Sequence, residues 1–163
     1  MDNNGGAEFA ETLAKKFYPD HWRTVEMAEG AFRSFAIEYG PTLSVLGPKS
    51  GSQPFPFLSL ICGLATSVRV GDDLFRFVNS QNREAFFGGF HVEPGAEDSA
   101  SVIAQLLIPL EPISWQNAPT VQWASRMIND LIGRAAQVAP AVVAQFGGHP
   151  FPNGFAEILW MMS

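Results

Sequence analysis

Among the side chains in this sequence, three histidines are the best candidates for a metal or acid–base site. His21, His91 and His149 lie far apart, without HxxxH or HxH spacing, and no cysteine cluster accompanies them. Short spacings of this kind let one segment supply two ligands to a zinc ion. We therefore predict no metal site and interpret the histidines as solvated or core-edge side chains.

Two acidic pairs and one lysine loop could also do chemistry. The pair Asp72–Asp73 is better explained as a helix cap, and Glu97–Asp98 as a solvated hairpin loop, than as an acid–base dyad. The GPKSG sequence at 47–51 invites comparison with a phosphate-binding loop, but it lacks the glycine directly before lysine. No G-x-S-x-G or G-x-G-x-x-G motif is present. We predict no catalytic and no cofactor-binding residues, and hence no enzyme.

The single cysteine, Cys62, lies in the apolar run LSLICGLAT. A lone cysteine cannot form an internal disulfide. Its apolar surroundings predict a small buried side chain rather than an activated thiol, because reactive thiols need an electropositive, partly exposed setting.

Length and composition indicate one domain with a large apolar load. The chain has 163 residues, 16% of them charged, with 14 Phe and 4 Trp, whereas about 25% charged residues is usual. Its acidic balance, with a pI near 4.9, argues against nucleic acid and anionic membrane as partners. The N-terminus lacks the pattern of a secretory signal, and the longest apolar run, 57–68, is too short to span a bilayer. We expect a cytoplasmic protein without membrane insertion.

Over residues 72–92 the spacing of apolar residues changes once, from the period of a helix to that of a strand. One of its first two residues, Asp72 or Asp73, can cap a helix and place negative charge at its positive end. Apolar residues recur at helical spacing from there: Leu74, Phe75, Val78 and Ala85. From Phe86 to Val92 the apolar residues alternate, so we predict a strand that begins at residue 86. The two glycines within it are typical of a bulge or a close approach by another backbone.

This helix and strand resemble a segment of the YbjN family and of its actinobacterial relatives, the type III secretion chaperone-like TY-Chap proteins. Val78, Asn79, Asn82 and Gly88 stand at the matching positions of a V-N-x-x-N helix before a glycine-marked strand. The resemblance covers about residues 57–148, closing with the AQFGG sequence. It implies a compact α+β domain, often dimeric, related in fold to chaperones that hold secreted clients. It does not imply an enzyme.

Short β-rich runs separated by turn residues predict an antiparallel meander before that segment. An amphipathic helix over residues 7–17 comes first and ends before Pro19. The predicted strands are 22–27, 31–39, 42–46 and 57–66, with an exposed loop at 47–56. The last strand is apolar on both faces, so we expect it to lie centrally or beneath a helix. A later run, 99–108, is predicted to form a hairpin with 86–92.

A long amphipathic helix occupies the C-terminal third. Asn117 can cap it, and Gly147 and Gly148 end it. Its apolar stripe consists of Val121, Ala124, Ile128, Leu131, Ala135, Val138 and Val142. Pro140 lies inside this pattern and is expected to kink or restart the helix. The tail beyond carries apolar residues that fit one or two helical turns: Phe155, Ile158, Leu159 and Trp160.

Together these patterns predict an α+β fold in one domain over residues 1–163. An antiparallel sheet is packed by an N-terminal helix, a middle helix and a long C-terminal helix. Only 5 of the 62 residues in 102–163 are charged, so we predict that an apolar surface is covered by a partner. The partner is a second copy, giving a homodimer, or a client polypeptide, held at Trp123, Arg126 and Met127. The alternative is a small-molecule-binding protein or enzyme with a Phe-rich pocket.

Overall fold

The computed structural model describes residues 4–20, 22–25, 34–49, 57–96, 98–109 and 118–151. Its helices are α1 (Asn4–Phe17), α2 (Asp72–Glu84) and α3 (Ala118–Phe146). Its strands are β1 (Trp22–Val25), β2 (Ser34–Tyr39), β3 (Thr42–Lys49), β4 (Phe57–Arg69), β5 (Gly89–Pro94), β6 (Ser99–Pro109) and β7 (His149–Pro150).

The strands form one antiparallel sheet in the order β1-β2-β3-β4-β6-β5, and β7 pairs with β4. This arrangement confirms the predicted α+β fold, the meander and the β5–β6 hairpin. The 13-residue strand β4 lies between β3 and β6. Its central position agrees with its apolar residues on both faces.

The helices pack on one face of the sheet, here called the inner face. In register across the strands, this face carries Phe35, Leu46, Leu60 and Leu106, followed by Ile37, Cys62, Ala104 and Phe90. These residues share one hydrophobic cluster with apolar side chains of α1, α2 and α3. Alternation along each strand therefore gives the helices a continuous apolar surface on which to pack.

The amphipathic pattern of α1 is confirmed, although the helix begins at Asn4 rather than at residue 7. Its buried stripe is Phe9, Ala10, Leu13 and Ala14. Tyr18 follows the helix and donates its hydroxyl proton to Oδ1 of Asn129 on α3. Burial, reinforced by the nearby Cys62 and Tyr39, raises the pKa of Tyr18 above its ordinary value. The hydroxyl thus stays protonated and joins α1 to α3.

Helix α3 is continuous from Ala118 to Phe146, so of the two expected effects of Pro140, a kink or a restart, the restart does not occur. Proline removes one internal hydrogen bond, but the stripe on both sides of Pro140 is buried, and this packing holds the helix together. The predicted glycine stop is confirmed. Gly147 and Gly148 have φ of +74° and +84°, and a Cβ on Gly148 would lie 2.3 Å from the carbonyl oxygen of Thr66.

Several strand boundaries differ from the predictions, among them the end of β4, which lies at Arg69 rather than at residue 66. Strand β3 extends through Lys49, so the first three residues of the expected 47–56 loop belong to the sheet and pair with β4. The strand expected to begin at Phe86 begins at Gly89 instead. The Asn117 cap, the tail at 155–160 and the predicted strand segments 26–27 and 31–33 lie outside the described residues.

Leu131 lies at the centre of the α3 stripe and is fully buried. We expect Leu131→Asp to lower the free energy of unfolding by at least about 4 kcal/mol, because it places an unpaired charge in the core. Gln137→Asp introduces the same charge at an exposed position of the same helix and should change stability little. Urea unfolding monitored by circular dichroism measures both. Equal midpoints for the two variants would contradict the burial of this stripe.

Candidate functional site

Among the described residues, the chemically suggestive side chains do not form a cluster. His91 is exposed on β5 and His149 on β7, while His21 lies outside the described residues. Within the described ranges, no group of three or more His, Cys, Asp or Glu side chains could hold a metal ion. Cys62 is fully buried on β4, and burial raises the pKa of its thiol to about 12. The thiol is therefore protonated at neutral pH.

The acidic pair at the start of α2 does not cap the helix as predicted. Gly71 is the N-cap residue, and no side chain bonds to the first turn. Asp72 and Asp73 instead lie within that turn, where their charge still favours the helix dipole. The predicted cap is one residue too late, because glycine can occupy the N-cap position without offering a side-chain acceptor.

A cleft of about 670 Å³ opens beside this first turn. It is lined by Arg69, Gly71, Asp72, Asp73, Leu74, Arg76, Gln145 and Phe146. Arg76 and Asp73 approach to 3.8 Å with both side chains exposed, so their attraction is weak. Two guanidinium groups and two carboxylates share the lining, and this mixture favours neither an anionic nor a cationic ligand.

A second feature is the turn between α2 and β5, residues 85–88, here called the α2–β5 turn. Phe86, the second residue of this turn, is 88% exposed, whereas its neighbour Phe87 is partly buried and packs against the core. An aromatic side chain in water gives up the favourable free energy of burial. Three separate contacts hold the backbone on either side of Phe86.

The first contact comes from Asn82, in the last turn of α2. Its Nδ2 donates to the carbonyl oxygen of Phe90 at 2.9 Å, and its Oδ1 accepts from the Phe90 N–H at 2.6 Å. One side-chain amide thus satisfies both backbone groups of a β5 residue. The two ends of the α2–β5 turn are tied together across eight residues.

Arg134 of α3 supplies the second contact at the C-terminal end of α2. Its Nη2 lies 2.9 Å from Oε2 of Glu84, and its guanidinium also donates to the carbonyl oxygens of Glu84 and Gln81 at 3.3 and 3.5 Å. A cation is favourable there because the last carbonyls of a helix carry partial negative charge. Arg134 therefore anchors the end of α2 to α3.

Gly88 makes the third contact. Its φ is +68°, and a Cβ at this position would lie 2.4 Å from the carbonyl oxygen of Gln105 and 3.3 Å from a methyl carbon of Leu131. Only glycine can take this conformation at such a close approach. The predicted close approach by another backbone is therefore present, although Gly88 lies before the strand rather than within it.

Helix α3 presents an exposed tryptophan and an exposed arginine on the same side as Arg134. Trp123, Arg126 and Arg134 follow one another at spacings of three and eight residues, which places them on the same side of a helix. Trp123 is 44% exposed and Arg126 is exposed. Arg134 reaches the end of α2 and Leu131 lies close to Gly88, so the α2–β5 turn lies against the middle of α3. We call Phe86, Trp123 and Arg126 the aromatic surface.

Met127, predicted to bind a partner together with Trp123 and Arg126, does not lie on this exposed surface. Its side chain is only 7% exposed and belongs to the hydrophobic core. The apolar stripe of α3 is wider than one residue per turn, because the helix packs against several strands of the sheet and against α1. Met127 contributes to folding rather than to an exposed surface.

No protein-family profile matches the chain, and no curated protein is significantly similar to it. Among the described residues, no helix is long and apolar enough to cross a membrane. The geometry of the chain and its sequence resemblance to the YbjN and TY-Chap proteins are therefore the basis for proposing a function.

The sequence alone does not reveal the exposure of Phe86 or the contacts that Asn82 and Arg134 make. It identifies Asn82 only as a motif residue and assigns Phe86 to a strand. A usable signal is present: a polar Asn near a helix end, followed within seven residues by two aromatics and two glycines, is typical of a side-chain-stabilised turn. No sequence signal joins Arg134 to a helix end that lies 50 residues away.

We expect Asn82→Ala to lower the free energy of unfolding by about 1–3 kcal/mol, because two backbone groups of Phe90 lose their partner. Asn79→Ala is the matched control, since Asn79 is exposed one turn earlier on the same helix. Amide hydrogen exchange at Phe90 should accelerate in the first variant only. Unchanged exchange at Phe90 would show that the Asn82 bonds do not hold the turn in solution.

Proposed function

We propose that this protein is a non-enzymatic, chaperone-like binding domain that holds a partner polypeptide on its aromatic surface. The observation that carries the proposal is Phe86, a nearly fully exposed aromatic side chain on a turn held by hydrogen bonds, an ion pair and a glycine contact. We further propose that the protein acts in the cytoplasm.

Preorganisation of the α2–β5 turn favours binding of a partner. Burying Phe86 in a partner would contribute about 2–3 kcal/mol, and a turn that is already ordered avoids the entropy cost of fixing a loop during binding. Aromatic residues and Arg are the side chains that most often dominate protein interfaces. Phe86, Trp123 and Arg126 have this composition.

The resemblance to the YbjN and TY-Chap proteins supports the same proposal. The segment that carries it includes Asn82 and Gly88, two of the residues that hold the α2–β5 turn. The observed α+β architecture agrees with the fold that the resemblance implies. In this interpretation the motif residues serve to position Phe86.

A peptide selected against the protein from a random library tests the proposal directly. We expect Phe86→Ser to weaken its binding at least about tenfold, which corresponds to the loss of roughly 1.4 kcal/mol. Phe75→Ser is the matched control, because Phe75 is also exposed but lies at the other end of α2. Fluorescence anisotropy measures the affinities. Peptides that bind both variants equally would place the binding surface elsewhere.

We also propose that two copies associate through the aromatic surface to form a homodimer. Sedimentation equilibrium at micromolar concentration should give twice the monomer mass of 17.8 kDa. Trp123→Glu should yield a monomer, because it places a charge in an apolar interface. Gln122→Glu adds the same charge at the neighbouring exposed position and should leave the dimer intact. A wild-type protein that sediments as a monomer excludes the homodimer and leaves a client as the partner.

A small-molecule-binding function is the second candidate, and the cleft beside α2 is the observation that favours it. Among the described residues, Phe9, Phe35 and Phe90 are packed in the core, whereas Phe146 lines the cleft. A ligand for the cleft would need groups of both charges. Native mass spectrometry of the purified protein that reveals a retained small molecule would favour this candidate over the first.

A further inference from the structure

The side of α3 that faces away from the sheet carries a line of accessible residues. Positions 123, 126, 130, 133 and 137 follow one another at alternating spacings of three and four, which keeps them on one side of a helix. Trp123, Arg126, Asp130 and Gln137 are exposed, and Gly133 is partly exposed. None of these five belongs to the hydrophobic core. This side of the helix is therefore accessible to another molecule.

The charges on α3 are few. The helix contains three charged residues, Arg126, Asp130 and Arg134, and Arg134 is paired with Glu84 at 2.9 Å. Arg126 and Asp130 form no ion pair with each other or with another residue in the described part of the chain. Their order along the helix, with the cation first, is the less favourable one for an intrahelical pair. One exposed cation and one exposed anion are thus available, about 6 Å apart along the helix axis.

This pair of charges is complementary to itself. In an antiparallel pair of identical helices with a twofold axis beside Ile128, Arg126 lies two residues before the axis and Asp130 two residues after it. Arg126 of each copy then meets Asp130 of the other, so both ion pairs form at once. A parallel pair would place Arg126 against Arg126, which is unfavourable. Pairing Asp130 with Arg134 of a second copy would have to displace Glu84.

The same register suits the large side chain at the start of this line. Trp123 lies five residues before the axis and so reaches the level of Gly133 in the second copy. Gly133 has no side chain, and a Cβ there would meet no atom of a neighbouring element within 4 Å. The second helix and its Trp123 can therefore approach closely at this level.

We propose that two copies pair through antiparallel α3 helices about a twofold axis beside Ile128, joined by two reciprocal Arg126–Asp130 ion pairs. The inference rests on the proposed homodimer and specifies its geometry. Exposed ion pairs contribute little to affinity, so burial of the two Trp123 side chains holds the copies together. The ion pairs set orientation and register. A second copy supplies the matching charges by symmetry, whereas a client would have to supply them from its own sequence.

Charge reversal tests this geometry. Arg126→Asp places two acidic side chains opposite each other at both contacts, and Asp130→Arg does the same with basic side chains. We expect each variant alone to weaken the dimer at least about tenfold, because like charges then face each other. An equimolar mixture of the two variants restores opposite charges at both contacts and should form a mixed dimer with wild-type affinity. Sedimentation equilibrium measures the affinities, and native mass spectrometry identifies the mixed dimer.

The matched control is Arg76→Asp, which reverses an exposed arginine on α2 and should leave self-association unchanged. Both test positions are exposed, so the variants should keep the circular dichroism spectrum of the wild type. A wild-type dimer that both single variants retain, or a mixture without mixed dimers, places the interface elsewhere. Either result overturns this geometry and leaves the homodimer standing. A wild-type monomer overturns the homodimer and its geometry together.

Discussion

The rest of the structure depends on one strand that is apolar on both faces. Strand β4 is central in the sheet, and from Leu58 to Thr66 every residue is buried. A strand of this kind must be covered on both sides, because each exposed apolar side chain forfeits about 25 cal/mol per Å² of burial. The three described helices cover one side. The composition of the chain, low in charge and rich in Phe, follows from the need to supply two apolar layers rather than one.

The periodicity of apolar residues predicts a helix or strand well where packing on one side of that element determines which of its residues are buried. The sequence alone predicts the apolar stripes of α1, α2 and α3 and the two apolar faces of β4. Helices and strands can be told apart because their side chains repeat with different periods. The α2–β5 turn cannot be predicted from periodicity in the same way. Phe86 and Phe87 have high strand propensity, but the positive φ of Gly88 and its contact with Leu131 make the strand begin later than the alternation suggests.

The candidate site is harder to predict than the fold because its contacts connect distant parts of the chain. Arg134 acts on a helix that ends 50 residues earlier, and no local pattern contains that information. Met127 shows the opposite problem. Its spacing from Trp123 is one helical turn, which predicts both on one surface, yet the way α3 lies on the sheet buries one and leaves the other in water.

The two hydrogen bonds from Asn82 have a consequence for how the molecule can assemble. β5 is the last strand on its side of the sheet, and the backbone groups of Phe90 that Asn82 occupies are those that would otherwise pair with a strand from another chain. Pro94 in the same strand has no N–H to offer. This edge therefore offers fewer backbone groups for β-augmentation than an open strand would. Association on this side would depend more on side chains than on backbone pairing, so its specificity could be adjusted by single substitutions that leave the backbone unchanged.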